Sequence, residues 1–419
     1  MLGNLAAPVF SLATGPILAR SLAPEGRGVL AVSMAAMMFA PALLSGGLPA
    51  ALLHFGARAQ LTRRLLRQVL ATALALSLLG TCLVLVYASR MDQIYQDSLW
   101  LVAAAVVVML PLDCARGLLQ ASRSFGNASL EAWISNGLRF SGVVTLAAVH
   151  ELTPVTATAV VLLSSVLATA RWLPAIRSLA RRAVSTTPDA ITGRPFARYA
   201  AGSWIAQLAS VSNVGVDQIV LGFMAASSDI GVYAVAVTWA QLPLFVVSAS
   251  QRVAIVRAGT DWDDVFVARL TRLTIAAGAV VALGLAVVAP VAIPLLFGHG
   301  YEPAVRLSYL LQPGLLFGYG GYMYGSLLAT RRRPGDQSWA ESAGLVVTVG
   351  GLAALVPVMG IEGAAVTSTF SYVVTTSVLL RLLRRDGFRE PAVLVTPDDL
   401  RWLVDRVRGR SEGGTGALR

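Results

Sequence analysis

The chain has 419 residues, 56% hydrophobic and 13% charged, with a formal net charge of +11. A soluble protein carries roughly 25% charged residues, so the composition excludes a soluble globular domain and indicates a polytopic membrane protein. The positive charge does not indicate a nucleic-acid partner, because every basic residue is an arginine and the arginines flank apolar runs, as topology determinants do.

Twelve apolar runs near the ~20 residues needed to cross a bilayer follow one another along the chain. In the first half they are Leu2–Leu22, Val29–Phe55, Leu65–Ala88, Leu99–Leu118, Ser129–Val149 and Pro154–Leu179. In the second half they are Tyr199–Met224, Ile230–Val253, Leu273–Phe297, Ala304–Thr330, Trp339–Val358 and Gly363–Leu383. The first run begins almost at Met1 with no basic n-region and no small-residue cleavage site, which predicts a retained helix rather than a signal peptide. The expected architecture is an all-α polytopic membrane protein with about twelve transmembrane helices in two six-helix lobes around a central cavity. Residues 1–182 would form the first lobe, 183–198 a cytoplasmic linker, 199–385 the second lobe and 386–419 a cytoplasmic tail.

Charge placement predicts the orientation. The even connections carry Arg58, Arg63 and Arg64; Arg116 and Arg123; Arg177, Arg181, Arg182 and Arg194; Arg252, Arg257 and Arg269; and Arg331 to Arg333. The odd connections carry only Arg20, Arg27, Arg90 and Arg306. By the positive-inside rule the even connections and both termini are cytoplasmic, in a multi-pass protein of the cytoplasmic membrane.

Two internal matches suggest a repeat. Leu118-Leu119 through Gly126-Asn127 and Ser129 aligns with Leu327-Leu328 through Gly335-Asp336 and Ser338 at an offset of 209, and Gly28-Val29-Leu30-Ala31-Val32 aligns with Gly231-Val232-Tyr233-Ala234-Val235 at an offset of 203. The first pairs spans four and five with ten and eleven; the second pairs one and two with seven and eight. Both predict two six-span repeats of the same orientation, with a cavity on the axis between them.

Ionisable groups inside spans are the candidates for function. Arg139 sits at the middle of the fifth span, on one helical face with Glu131, Ser135 and Gly142. A guanidinium at the bilayer centre costs at least ~2.5 kcal/mol on insertion scales, so it is expected to face a wet interior. It either binds an anionic headgroup or pairs with Asp113 or Glu131. Asp217 continues a polar face of the seventh span that includes Ser203, Gln207, Ser210 and Asn213, and such a face must meet protein or water. It is a proton or cation coupling site, a counter-charge to Arg139, or a local cap. Asp113 and Arg116, three apart, are expected to pair with each other.

Arg20 and Arg27, against the positive-inside trend, are expected at the outer mouth, meeting a sugar or phosphate or snorkelling to lipid. The candidate cavity set is therefore Arg139, Ser135, Asn136, Gln207, Asn213, Arg20 and Arg27, with Asp217, Asp113 and Glu131 as coupling or ion-pair groups. Tyr319, Tyr322 and Tyr324 either line a sugar path or pack, and Pro41, Pro111, Pro243, Pro313 and Pro357 are candidate bends. Cys82 and Cys114 lack Cys-x-x-Cys spacing, and His54, His150 and His299 are far apart, so neither a metal centre nor a cofactor is expected.

Ala19-Arg20-Ser21-Leu22-Ala23-Pro24-Glu25-Gly26-Arg27-Gly28 resembles a connection, Ala-Arg-x-Leu-Gly-Pro-x-x-Tyr/Arg-Gly, of the polysaccharide-biosynthesis flippases in the multidrug/oligosaccharidyl-lipid/polysaccharide exporter superfamily. Asp217-Gln218-Ile219-Val220-Leu221-Gly222, Gly231-Val232-Tyr233-Ala234-Val235-Ala236, Leu296-Phe297-Gly298-His299-Gly300-Tyr301 and Gly360-Ile361-Glu362-Gly363-Ala364-Ala365 resemble later motifs of the same family. Ala23 departs from the pattern, where the family commonly has Gly. The resemblance implies a two-lobed twelve-helix bundle that moves a polyprenyl-pyrophosphate-linked oligosaccharide by alternating access. It also implies coupling to H+ or Na+ or to the membrane potential, and work beside polymerase or glycosyltransferase proteins of the pathway. No Walker A sequence is present, so ATP hydrolysis by this chain is not expected. Two rival readings are a drug/cation antiporter, whose site should be acidic and aromatic, and a membrane polymerase or glycosyltransferase, for which no outer connection is long enough. A non-enzymatic transporter is the expectation.

Overall fold

The structure is a computed structural model that describes residues 6–58, 60–121, 125–171, 191, 193–251, 264–330, 334–388, 395–399 and 401–402. The described residues form thirteen helices, a helical turn in the tail at 397–399 and no strand. In chain order the helices are α1 (Ala6–Leu44), α2 (Leu48–Gly56), α3 (Arg63–Ser89), α4 (Gln93–Ala121), α5 (Phe125–Ala148), α6 (Pro154–Ala170) and α7 (Gly193–Met224). Then follow α8 (Ser227–Ala240), α9 (Leu244–Gln251), α10 (Asp264–Phe297), α11 (Pro303–Thr330), α12 (Pro334–Met359) and α13 (Ile361–Arg385).

These helices match the twelve expected spans once three breaks are recognised. α1 holds the first span and most of the second, divided at Ala23, whose φ of 55° and ψ of 175° are not helical. Pro24 follows, and a proline both lacks the N–H that would continue a helix and pushes the preceding residue to extended ψ. Hydropathy predicts one continuous second span to Phe55, but it is interrupted at Gly46 and Gly47, which have φ of 52° and 71°, before α2 restarts with Pro49 in its first turn. Trp204 of α7 donates its indole N–H to the freed carbonyls of Ala42 and Leu43, at 3.1 and 3.0 Å. The eighth span is likewise broken, into α8 and α9, with a 47° bend. Charges expected at Arg123, Arg177, Arg181, Arg182, Arg252, Arg257 and Arg331 to Arg333 lie outside the described residues.

By length and apolar composition alone, six of the described helices could cross a membrane, or seven if α8 and α9 count as one. α5 and α11 do not qualify, and each carries polar groups along a face: Glu131 and Arg139, and Gln312 and Ser326. Such faces survive in a bilayer only when turned to protein or water, so low hydropathy here marks interior helices.

The two lobes meet most tightly at the end of the bundle that carries the Ala23 break. There α1 crosses α8 with Gly28 and Gly231 against each other's backbone. A Cβ at Gly28 would lie 1.8 Å from the Ser227 carbonyl oxygen, and one at Gly231 would lie 1.9 Å from the Pro24 oxygen. The contact is reciprocal at the repeat offset of 203, which relates Pro24 to Ser227 as it relates Gly28 to Gly231. Around it runs the largest buried apolar cluster, joining Val29 and Val32 to Tyr95 and Leu99 of the first lobe and to Ile230, Ile293, Phe297 and Leu311 of the second. Towards the arginine-rich end the apolar packing divides. One cluster joins α2, α3 and α4 to Phe196 and Ala200 of α7, and another joins Val267, Met323, Leu327, Leu383 and Phe388.

The tail returns to this second cluster. Asp399 is fully buried and accepts hydrogen bonds from Arg272 Nε at 2.7 Å, Arg272 Nη2 at 2.8 Å, Arg269 Nε at 3.2 Å and the Thr396 N–H at 2.9 Å. The Trp402 ring lies 5.3 Å from the Arg269 guanidinium. The Arg272 hydrogen bonds hold the Asp399 carboxyl well below the usual carboxylate range.

Four outcomes follow from this packing. Ala23 occupies a backbone region that is essentially reserved for glycine, so Ala23→Gly should raise the thermal midpoint by the equivalent of ~1 kcal/mol or more. Gly28→Ala and Gly231→Ala should each lower it, and because they obstruct one shared contact the double substitution should cost less than the two added together. Asp399→Asn removes the carboxylate that pairs with the Arg272 guanidinium, which should cost about 3 kcal/mol, and hydrogen exchange of 395–399 should lose its protection. The folded carboxyl titrates below its unfolded value of about 3.9, so the wild-type clamp should persist unchanged from pH 8 to pH 5 and loosen only as the pH falls through the lowered value.

Candidate functional site

Two guanidinium groups from different helices converge in the first lobe. Arg139 lies on α5 about 14 Å from its end at ~1.5 Å per residue, and Arg27 lies about one turn beyond the Ala23 break in α1. They are close enough for their charges to repel one another, and Arg27 also lies beside Tyr301, whose hydroxyl donates to the Ala19 carbonyl at 3.0 Å. The Nε of each arginine is buried with no hydrogen-bond partner. No carboxylate forms an ion pair with either among the described residues. Ser135, one turn before Arg139, has no hydrogen-bond partner among the described residues, and Asn136 donates its amide to the Ala132 carbonyl at 2.8 Å.

The acids named as possible partners of Arg139 are engaged elsewhere. Arg116 donates from Nε to Glu131 at 2.9 Å and from Nη1 to Asp113 at 3.0 Å, and its Nη2 reaches the Ser165 carbonyl at 3.4 Å. Thr169 adds a bond to Glu131 at 3.0 Å. The pairing of Asp113 with Arg116 is therefore present, with Glu131 as a third member. Beside this cluster lies a cavity of about 220 Å³ that Met37, Met38, Asp113, Arg116 and Gln207 help to line. An unneutralised pair of buried guanidinium groups is costly, and water or an anion has to compensate it. Arginine forks suit phosphate oxygens geometrically as well as electrostatically.

Arg20 stands apart from this pair. Its Nε donates to the Leu296 carbonyl at 3.0 Å and its Nη2 to that of Leu295, so it caps the end of α10 and ties the two lobes together near the Ala23 break. It also lines a cavity of about 520 Å³ with His299 and Tyr301. The side chain of Asn213 lies outside the described residues.

Asp217 forms a second buried polar group, in the second lobe. It accepts from the Tyr233 hydroxyl at 2.6 Å and the Gln218 N–H at 2.8 Å, and Ser368 of α13 lies 3.3 Å from the Tyr233 oxygen. No arginine contacts it among the described residues. Among the described residues, a hydroxyl and a backbone N–H are the groups that hold this buried carboxylate. Among the described residues no three His, Cys, Asp or Glu side chains gather as a metal site.

Three features carry little or no signal in the sequence. Arg27 and Arg139 are separate candidates there, and nothing in the linear order brings span two to span five. Tyr233 stands in a family-like motif but nothing in the sequence ties it to Asp217, and Ser368, the other residue of this group, carries no signal of its own. A cavity of about 330 Å³ between α11, α12 and α13 is foreshadowed only by Tyr322; Tyr319 and Tyr324 are buried in packing. Polar residues within apolar spans, such as Gln251, Ser326 and Gln337, are the available clue.

Comparison with known structures places this arrangement in a recognised fold. A lipid II flippase, MurJ, in an inward closed conformation aligns over 97% of this chain and 91% of its own, with a TM-score of 0.71 at 14% identity. An inward-facing multidrug resistance transporter of the MATE family and MOP superfamily aligns over 90% and 95%, with a TM-score of 0.59 at 15% identity. A MATE multidrug transporter, DinF-BH, aligns over 92% and 93%, with a TM-score of 0.61 at 14% identity. At these identities the likeness establishes the fold of two six-helix lobes around a cavity. A search of curated protein sequences returned no match. The family model for polysaccharide biosynthesis proteins matches residues 1–256, and the chain belongs to that family.

Proposed function

We propose that the protein is a flippase that carries a polyprenyl-pyrophosphate-linked oligosaccharide across the cytoplasmic membrane by alternating access, in the synthesis of a surface polysaccharide. The observation that carries this reading is the buried pair Arg27 and Arg139, two guanidinium groups near each other with no acid to neutralise them among the described residues. A pyrophosphate supplies the missing negative charge and several acceptor oxygens. Ser135 and Asn136 on α5 and Gln207 on α7 extend the polar wall, and the isoprenoid tail stays in lipid between the lobes.

In the orientation that the arginine distribution predicts, the Ala23 end is the outer one and both termini are cytoplasmic. The α1–α8 crossing and the Arg20 cap then close the outer side, and the lobes, 1–182 and 199–385, exchange access by rocking about that contact. Asp217 with Tyr233 is the candidate for coupling to H+ or Na+, and the membrane potential contributes ~2.3 kcal/mol per elementary charge per 100 mV. The further partners are membrane lipid and the polymerase or glycosyltransferase proteins of the pathway; nucleic acid is not among them. An antiporter of cationic drugs would leave the arginine pair without a purpose, since its cargo would be repelled there.

The test is the appearance of labelled lipid-linked oligosaccharide at the far leaflet of vesicles containing the protein. Arg139→Ala and Arg27→Ala should each slow transport by about tenfold or more, equivalent to ~1.4 kcal/mol, while thermal stability is kept or improved by relief of repulsion. Transport unchanged by both substitutions would remove the cavity role from this pair. Failure to move any lipid-linked glycan, together with robust export of a cationic dye, would sink the flippase reading.

A further inference from the structure

We infer that the cavity between α11, α12 and α13 in the second lobe is a sugar-binding subsite, which takes uncharged pyranose rings of the cargo's glycan. Its assignment to a transported glycan rests on the flippase reading above; its chemistry does not.

The cavity holds about 330 Å³, at the lower end of the ~300–1,000 Å³ typical of small-molecule sites. Its lining includes Tyr322 and Tyr372, the amide side chains Gln251 and Gln337, Ser326 and, as the one charged group among the described residues, Glu341. Among the described residues no arginine lines it.

The polar groups are only partly used. Gln251 donates its amide N–H to the Tyr322 carbonyl at 2.9 Å and to Ser326, which leaves its amide oxygen as an acceptor. Gln337 has no hydrogen-bond partner among the described residues, nor does the Tyr322 hydroxyl. Within a membrane-embedded bundle such groups need water or a ligand to satisfy them.

A pyranose ring fits this set of groups better than the other ligand classes do. Its hydroxyls both donate and accept, as amides and hydroxyls do, and one face of the ring presents C–H groups to an aromatic surface. An organic cation would be served by one carboxylate among many neutral donors, and an apolar molecule would leave the amides unpaired. The lobes then divide the headgroup by chemistry: cationic in the first, neutral and hydroxyl-rich in the second.

The experiment is saturation-transfer NMR on the protein in lipid nanodiscs, with a panel of neutral disaccharides of glucose, galactose, N-acetylglucosamine and rhamnose as probes and ethidium as the cationic control. At least one disaccharide should receive saturation on its ring C–H protons. The signal should fall about tenfold, ~1.4 kcal/mol, in Tyr322→Ala and Gln337→Ala. Tyr322→Phe, which keeps the ring and leaves no larger gap, should retain most of it and separates lost recognition from lost folding. No transfer to any sugar in the wild type, or a sugar signal indifferent to Tyr322→Ala and Gln337→Ala, overturns the subsite. Binding of ethidium that Glu341→Gln abolishes, without sugar binding, overturns it in favour of a cation pocket. Sugar binding that depends on Tyr322 in a protein that moves no lipid-linked glycan would leave the subsite standing and remove the flippase reading.

Discussion

The contact on which the arrangement of the lobes depends is the crossing of α1 and α8 at Gly28 and Gly231. Each glycine lies against a carbonyl of the other helix so closely that no Cβ could be accommodated on the present backbone. Because the two positions are equivalent in the repeat, the interface is self-complementary, as an isologous dimer interface would be, although it forms within one chain. The Arg20 cap on α10 and the bond from Tyr301 to the Ala19 carbonyl lie at the same end, so the lobes are joined there by backbone contacts and by capped carbonyls. Bundle interfaces in lipid gain little from burying apolar surface, which makes close backbone approach and satisfied polar groups the available means of holding lobes together.

Charge in the first lobe is partitioned by Arg116, which holds both acids of its cluster. Arg116 takes both Asp113 and Glu131, with Ser165 and Thr169 completing the cluster. Arg27 and Arg139 form no ion pair among the described residues and act on each other electrostatically, so the first lobe acquires a local positive field that its composition alone does not reveal. The described residues of the second lobe hold no counterpart. Thr348, at the repeat equivalent of Arg139, is buried and bonded to Gly344 and Ser371. The pseudo-symmetric frame therefore encloses a chemically asymmetric interior, with unpaired cations on one side and amides, hydroxyls and tyrosines on the other.

The polar faces of α5 and α11 explain why these helices look least like membrane spans. An interior helix carries the groups that water or cargo will meet, so its hydropathy falls as its functional content rises. The breaks at Ala23, at Gly46 and Gly47, and between α8 and α9 fall at prolines and glycines, where irregular backbone is tolerated because neighbouring helices or capping groups satisfy it. Trp204 does this for the carbonyls at the end of α1.

The sequence by itself determined the all-α membrane architecture of about twelve spans, because hydropathy and periodicity are local properties of the chain. It also marked Ala23: the glycine common at that place in the resembled pattern corresponds to a backbone conformation that alanine holds under strain. The bond from Asp113 to Arg116 was legible because three residues apart on a helix are neighbours. Only the tertiary structure decided that Arg116 rather than Arg139 holds Glu131, that Arg27 joins Arg139, that Arg20 caps α10, and that Asp399 of the tail locks onto Arg272. Each of these joins residues from different helices, and the partner of a long side chain across a helix interface depends on packing distances that no spacing along the chain encodes.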